Sequence, residues 1–161
     1  MITLLPMRAE AFPSFVEQAT LLFAHENVAA GRWSDAGSIE RSRAENSKLL
    51  PEGIATSGQF LFEITDPELL SPVGYLWLAE MPRNSTKFAF VCQIYVEPAH
   101  RRKGYARAAL QTAERFAVDH GLSGVGLHVF SHNSGARALY QALGYQVTSM
   151  NMFKPFGKND A

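Results

Sequence analysis

From Phe88 to Val96 the chain is almost wholly apolar; Pro98 then interrupts it, the basic run His100-Arg101-Arg102-Lys103 follows, and a helical period begins at Gly104. A stretch with no polar alternation predicts a central strand covered on both faces. A covered strand that feeds a sharp turn and then a helix confines the chain to folds in which helices lie on a sheet.

The flanking sequence supplies the other elements. Thr3–Leu5 predicts a short strand ending at Pro6. Phe15, Ala19, Leu22 and Phe23 recur at helical spacing between about Ala11 and Ala30, and Gly31 ends that run. A more polar helix is expected from a Ser34/Asp35 cap to Leu49 or Leu50, before Pro51. Gln59–Thr65 alternates as a strand does, and Val73–Met81, closed by Pro82, reads as the next. Hairpin-length connections make these two and Phe88–Val96 antiparallel neighbours. Beyond the basic run, a helix is predicted over Gly104–His120, with Ala108, Ala109, Thr112 and Phe116 inward and Gly121 as its stop. A strand over Val125–Phe130, a helix over Ser134–Leu143 ended by Gly144, and a final strand over Tyr145–Phe153 complete the order. The strand–helix–strand unit favours a parallel, right-handed crossover. The expected architecture is a mixed α/β, three-layer fold, in one domain spanning residues 1–161.

Composition excludes more than it assigns. Hydrophobic residues are 47% of the chain, as in a folded globular protein. Fifteen basic residues are cancelled by 15 acidic ones, so net charge calls for neither nucleic acid nor a membrane surface. No apolar stretch approaches a bilayer span, and the first residues lack a signal-peptide pattern, which points to the cytoplasm. The lone Cys92 sits in an apolar run and reads as a buried thiol. The scattered histidines show no metal-ligand spacing, so no metal is expected.

At the basic turn, a strand runs out at Val96 and a helix starts a few residues later. Backbone N–H groups of a first helical turn have no intrahelical acceptor, and the positive end of the helix dipole adds to their field. A pyrophosphate fits such a point. Gly104 lets the backbone approach a phosphate closely, Ala106 keeps the first turn small, and Arg101, Arg102 and Lys103 add charge. The other reading is an ordinary helix start with a solvated basic run. The spacing matches neither a Walker loop nor a dinucleotide turn.

Arg101-x-x-Gly104-x-Ala106, after Ile94-x-Val96-x-Pro98, resembles the Arg/Gln-x-x-Gly-x-Gly/Ala signature of the GNAT superfamily of N-acetyltransferases. The resemblance extends over most of the chain, from Thr3 to about Phe153. It implies that the turn from Arg101 through Arg102, Lys103, Gly104 and Tyr105 to Ala106 binds the pyrophosphate of acetyl-CoA. It also implies that the backbone of Ile94, Tyr95 and Val96 binds the pantetheine arm where the central and following strands splay apart. A second stretch, His128 to Tyr145, resembles the family's other cofactor motif: a strand, an asparagine, an Ala-rich helix with Leu-Tyr, then Leu-Gly-Tyr. By position Asn133 matches the asparagine that touches the pantetheine arm, and Tyr140 the tyrosine whose hydroxyl faces the coenzyme sulfur. Taken without the resemblance, Asn133 reads equally as a plain N-cap and Tyr140 as a core aromatic.

The implied reaction moves an acetyl group from acetyl-CoA to a primary amine, on a small molecule or a peptide, by direct attack. An amine attacks only when neutral, so a proton must leave. Gln93 stands where many relatives carry an acid and cannot serve as a base. His128 matches the position of a glutamate base in ribosomal-protein N-terminal acetyltransferases and titrates in a suitable range. Glu63, Glu80 or water are the alternatives, and His128 also reads as a structural strand histidine. The resemblance places the acceptor against Ala24–Trp33, where His25, Glu26, Asn27 and Trp33 mix polar and aromatic character, although Trp33 serves equally to pin the helix–helix turn. A non-catalytic acyl-CoA-binding regulator remains the rival reading, and a homodimer is compatible with the sequence.

Overall fold

The computed structural model describes residues 1–157. Five strands form one mixed sheet in the order β1-β2-β3-β4-β5. β1 spans Thr3–Pro6, β2 Gln59–Thr65, β3 Gly74–Arg83, β4 Thr86–Val96 and β5 Val125–Leu127. The first four are antiparallel neighbours, whereas β5 lies parallel to β4, as a strand–helix–strand crossover requires. Pro82 is tolerated inside β3 because β2 pairs with β3 only as far as Ala79, so no ladder bond is lost on that side.

Helices cover both faces, which makes the expected three layers. On one face α1 (Phe12–Ala29) sets Phe15 and Ala19 against Leu61, Tyr75 and Trp77, and α2 (Ser38–Leu49) packs on α1. Phe15 meets Tyr75 edge-on at 4.8 Å and Trp77 at 5.8 Å, an aromatic geometry favoured beyond simple burial. On the other face α3 (Tyr105–Asp119) lays Ala109, Leu110 and Ala113 on Phe62, Ile64, Leu76, Leu78 and Val91. Its fully buried stripe is completed by Ala117, and the expected Ala108, Thr112 and Phe116 are half-buried, Phe116 against the same cluster. α4 (Ser134–Ala142) contributes the half-buried Leu139 and Tyr140 to this second cluster.

Three boundaries differ from expectation. Gly37 adopts φ +77°, a left-handed conformation that an α-helix cannot continue through, so α2 begins after it and not at the Ser34/Asp35 pair. β5 stops at Leu127 and leaves His128–Phe130 outside the ladder, because β4 offers it no partner beyond Val91. Tyr145–Phe153 is no strand in the described chain: it joins no ladder among the described residues, and its Tyr145 N–H donates instead to the Tyr140 carbonyl at the end of α4.

Candidate active site

β4 and β5 pair only through Ala89↔Val125, Phe90↔Gly126 and Val91↔Leu127. From Cys92 to Val96 the β5-facing edge of β4 has no strand partner among the described residues, and the sheet opens there. At the same height the β3–β4 register slips: Trp77 opposes Gln93 and Leu78 opposes Val91, so Cys92 is bulged out of the ladder. A bulge adds local twist and bends the strand, and it falls where the pairing with β5 ends. Half-buried Ile94, Tyr95 and Val96 line the open edge. Gly74 is obligatory opposite them: a Cβ there would lie 1.9 Å from the Tyr95 carbonyl oxygen.

Below the opening, Pro98–His100 makes a single 3-10 turn and leads into α3. Arg102 at φ +62° and Gly104 at φ +85° are both left-handed, and alternating such residues with ordinary ones points successive N–H groups into one concavity. Ala108 is the first residue past Arg101 whose N–H reaches a backbone acceptor outside the helix ladder, at Gly104, so the N–H groups from Arg102 to Arg107 have no backbone partner among the described residues. A Cβ built on Gly104 meets no described atom within 4 Å, so the space beside the turn is open.

The basic side chains around this turn are tethered. Arg101 Nε donates to the Val96 carbonyl at 2.8 Å, and its guanidinium lies 5.4 Å from the Tyr95 ring centre. Lys103 Nζ donates to the Ala99 carbonyl at 3.1 Å. The Tyr105 hydroxyl donates to Asp66 at 2.8 Å, which joins α3 to the β2–β3 loop. Ala106, on the first turn of α3, is half-buried, and Arg102, in the turn before it, is exposed.

On the other side of the opening Asn133 caps α4, its Oδ1 accepting from the Ala136 N–H at 3.3 Å. The cap leaves its amide nitrogen available to a ligand. Two turns on, the Tyr140 ring is half-buried against the α3-side core, and burial together with the Glu26 charge pushes its phenol above the ordinary range. It therefore stays protonated and able to donate at neutral pH.

Of the proton acceptors expected from sequence, Glu63 is engaged elsewhere. Arg8 grips its carboxylate through Nε at 2.9 Å and Nη2 at 3.0 Å, and this pairing holds its pKa below the usual range. Glu80 faces Lys87 at 3.3 Å, near the β3–β4 hairpin and away from the opening. His128 follows β5 at the surface, its ring edge-on to Phe130 at 4.7 Å. Partial burial and the nearby Arg32 charge lower its pKa, which leaves it neutral near pH 7. The Cys92 thiol is pushed up to about 12 by burial and is no nucleophile at neutral pH.

Of the α1 residues, Asn27 is structural: buried, its Nδ2 donates to the Phe23 carbonyl at 2.8 Å, and its main-chain carbonyl accepts from the Arg32 and Trp33 N–H groups. Trp33 pins the helix–helix turn, 5.2 Å from Phe23 and 4.3 Å beneath the Arg41 guanidinium. Glu26 differs. It is half-buried, burial raises its pKa against the opposing pull of His132 and His25, and its charge acts on Tyr75 and Tyr140. Sequence reasoning missed Tyr75, whose buried hydroxyl finds no protein partner among the described residues. The Tyr75 ring stacks on Tyr95 at 5.3 Å, and burial first, then Tyr95, Glu97 and Glu26, pushes its ionisation far up. The signal available in sequence was its register one strand over from Tyr95.

Among known families, the acetyltransferase (GNAT) family model matches residues 25–145, the greater part of the chain. The chain belongs to that family. Two Bacillus subtilis relatives, the uncharacterized N-acetyltransferases YdgE and YycN, are similar to this acetyltransferase. YdgE is 34% identical over 94% of the chain and 96% of its own length. YycN is 35% identical over 95% of the chain and 97% of its own. The crystal structure of YycN superposes with a TM-score of 0.92, covering 98% of this chain and all of the other. An aminoglycoside 6'-N-acetyltransferase, AAC(6')-Iy, solved with a CoA-containing bisubstrate analogue, has a TM-score of 0.63 at 15% identity, which shows a shared fold. The GNAT chain is thus an acyltransferase, and no helix among its described residues is long and apolar enough to cross a membrane.

Proposed function

We propose that this acetyltransferase transfers the acetyl group of acetyl-CoA to a primary amine by direct attack, in one domain spanning residues 1–161 and acting in the cytoplasm. The observation that carries the reading is the junction of two features among the described residues: β4 loses its partner after Val91, and the turn below presents N–H groups from Arg102 to Arg107 without backbone partners. An extended thiol arm fits along the first, and its pyrophosphate fits the second. The open space at Gly104 and the orphaned Tyr75 hydroxyl agree with a ligand lying between them. Acetyl-CoA, as cosubstrate, supplies the activated thioester.

In this reading Ile94, Tyr95 and Val96 hold the arm through their backbone. Arg101 fixes the strand end to the turn, and Arg102, Lys103, Gly104, Tyr105 and Ala106 form the anion cradle. Asn133 steadies the arm from the α4 side, and Tyr140 donates its hydroxyl proton toward the departing sulfur. His128, neutral near pH 7, accepts the proton of the attacking amine, and Glu26 draws a cationic acceptor to the opening. Gln93, facing Trp77 in the ladder, takes no proton.

A thiol-release assay over a panel of peptide, polyamine and small-metabolite amines tests the proposal. Release that depends on one amine class is the expected outcome. Tight acetyl-CoA binding with no amine-dependent release across the panel would favour the regulatory reading.

A further inference from the structure

The turn proposed for the pyrophosphate lies beside a second loop, residues 66–73 between β2 and β3, and the two are tied at both ends. At one end the Glu97 N–H donates to the Val73 carbonyl at 2.8 Å, where β4 gives way to the turn. At the other the Tyr105 hydroxyl donates to Asp66 Oδ2 at 2.8 Å, where the turn gives way to α3. The loop is itself stiff. Asp66 Oδ1 accepts from the Glu68 N–H at 3.0 Å, and the Asp66 carbonyl accepts from the Leu69 N–H at 2.9 Å. The Val73 N–H donates to the Ile64 carbonyl at 2.8 Å, and Pro67 fixes one backbone angle. The Tyr105 ring that spans the two loops is half-buried on the α3-side core and stands edge-on to His100 at 6.1 Å.

Two properties of the turn call for such support. Arg102 holds φ +62°, a conformation unfavourable for a residue with a Cβ, which persists only where its surroundings over-determine it. N–H groups aimed at one anion also bind it well only when held there beforehand, because ordering them on binding costs affinity. We infer that Asp66 is a positioning residue for the cofactor: through the Tyr105 hydroxyl it holds the α3 end of the turn, as Val73 holds the β4 end, so that loop 66–73 sets the shape of the anion cradle. The inference rests on the pyrophosphate reading given above. A carboxylate's charge by itself opposes an anion nearby, so what Asp66 contributes is geometry.

Calorimetric titration with coenzyme A, and with pantetheine at millimolar concentration, tests this on the wild type, Tyr105→Phe, Asp66→Ala and the double variant. Pantetheine carries the arm without the pyrophosphate, so it reads the β4 edge alone. Tyr105→Phe should weaken coenzyme A about two- to tenfold, the span of one hydrogen bond, and leave pantetheine unchanged. Asp66→Ala should do the same. The double variant should lose no more than the weaker-binding single one, because all three break one contact. Tighter coenzyme A binding by Asp66→Ala, as loss of a repelling charge alone would give, overturns the inference. So does an equal loss for both ligands, which would make the contact a general support of the fold, or wild-type coenzyme A affinity in Tyr105→Phe. If Asp66→Ala does not fold, Tyr105→Phe decides by itself. A wild type that binds coenzyme A no more tightly than pantetheine refutes the pyrophosphate reading itself, a failure distinct from that of Asp66.

Discussion

Arg101 Nε donates to the Val96 carbonyl at 2.8 Å, so the residue that opens the anion turn is bound to the residue that closes β4. The turn is thereby registered against the strand edge, and the two halves of the proposed cofactor site cannot shift independently. The Tyr95 ring, 5.4 Å from the guanidinium, limits its swing. This division of labour predicts selectivity for a pyrophosphate joined to an arm. Coenzyme A and acetyl-CoA should raise the melting temperature, with linkage supplying about 2.7 kcal/mol at a hundredfold excess over the dissociation constant. ATP and NAD should not. Equal shifts from ATP and coenzyme A would refute the site.

Gly104→Val should cost more in acetyl-CoA affinity than in stability. A Cβ there meets no described protein atom within 4 Å, so the main cost to the folded state is the left-handed backbone, about 1–2 kcal/mol. The anion, by contrast, would find the cradle filled. Calorimetric titration beside a thermal melt separates the two effects, and unchanged affinity would move the phosphate site elsewhere.

Tyr140→Phe keeps the half-buried ring against the α3-side core and removes only the hydroxyl. Acetyl-CoA affinity should hold while kcat falls. The loss should lie toward or below the lower end of the about 10²–10⁴-fold usual for a general acid, because a thiolate leaves readily. An unaltered kcat would make Tyr140 a packing residue.

Glu63 gives the chain a specific acid sensitivity. The Arg8 hydrogen bonds depress its folded-state pKa, so the stabilisation is complete above the unfolded value of about 4.3 and is lost as pH falls toward the folded one. Glu63→Gln should therefore flatten the unfolding profile in that acid window, as read by urea titration at several pH values. A variant with the wild-type slope there would show that the pair contributes no linkage.

Sequence made the fold legible wherever a local pattern and a partner coincided. The apolar run at Phe88–Val96 and the helical period after Gly104 appear close to their expected bounds because each meets a covering layer in its own chain. Tyr145–Phe153 shows the converse: its composition is that of a strand, but strand formation needs an edge to join, and that is a non-local property. In the site, the turn and the Asn133 cap were legible because both are short-range backbone devices. The fates of Glu63 and Asn27 were not, because each depends on which neighbour the fold delivers: Arg8 to the first, the Arg32 and Trp33 amides to the second. Tyr75 escaped notice because only strand pairing sets it against Tyr95.

The proton path gives the last prediction. Burial and Arg32 hold His128 below its ordinary pKa of about 6.5, so if it accepts the amine proton, kcat/KM should rise with pH through an ionisation below that value. Burial raises the Glu26 pKa, and a carboxylate base would give a rising limb too. The profile alone therefore does not distinguish them, but substitution does. His128→Gln should abolish the limb and lower the rate with acetyl-CoA affinity intact. Glu26→Gln should keep the limb and raise KM for a cationic acceptor, since it removes the charge that attracts an ammonium group. Two amines of different basicity must be compared, because the acceptor's own ionisation shifts with the amine whereas an enzyme group's does not. Should Glu26→Gln abolish the limb while His128→Gln preserves it, the carboxylate is the base. A limb that survives both substitutions and moves with the amine assigns the proton to water, and His128 to the structure of the segment beyond β5.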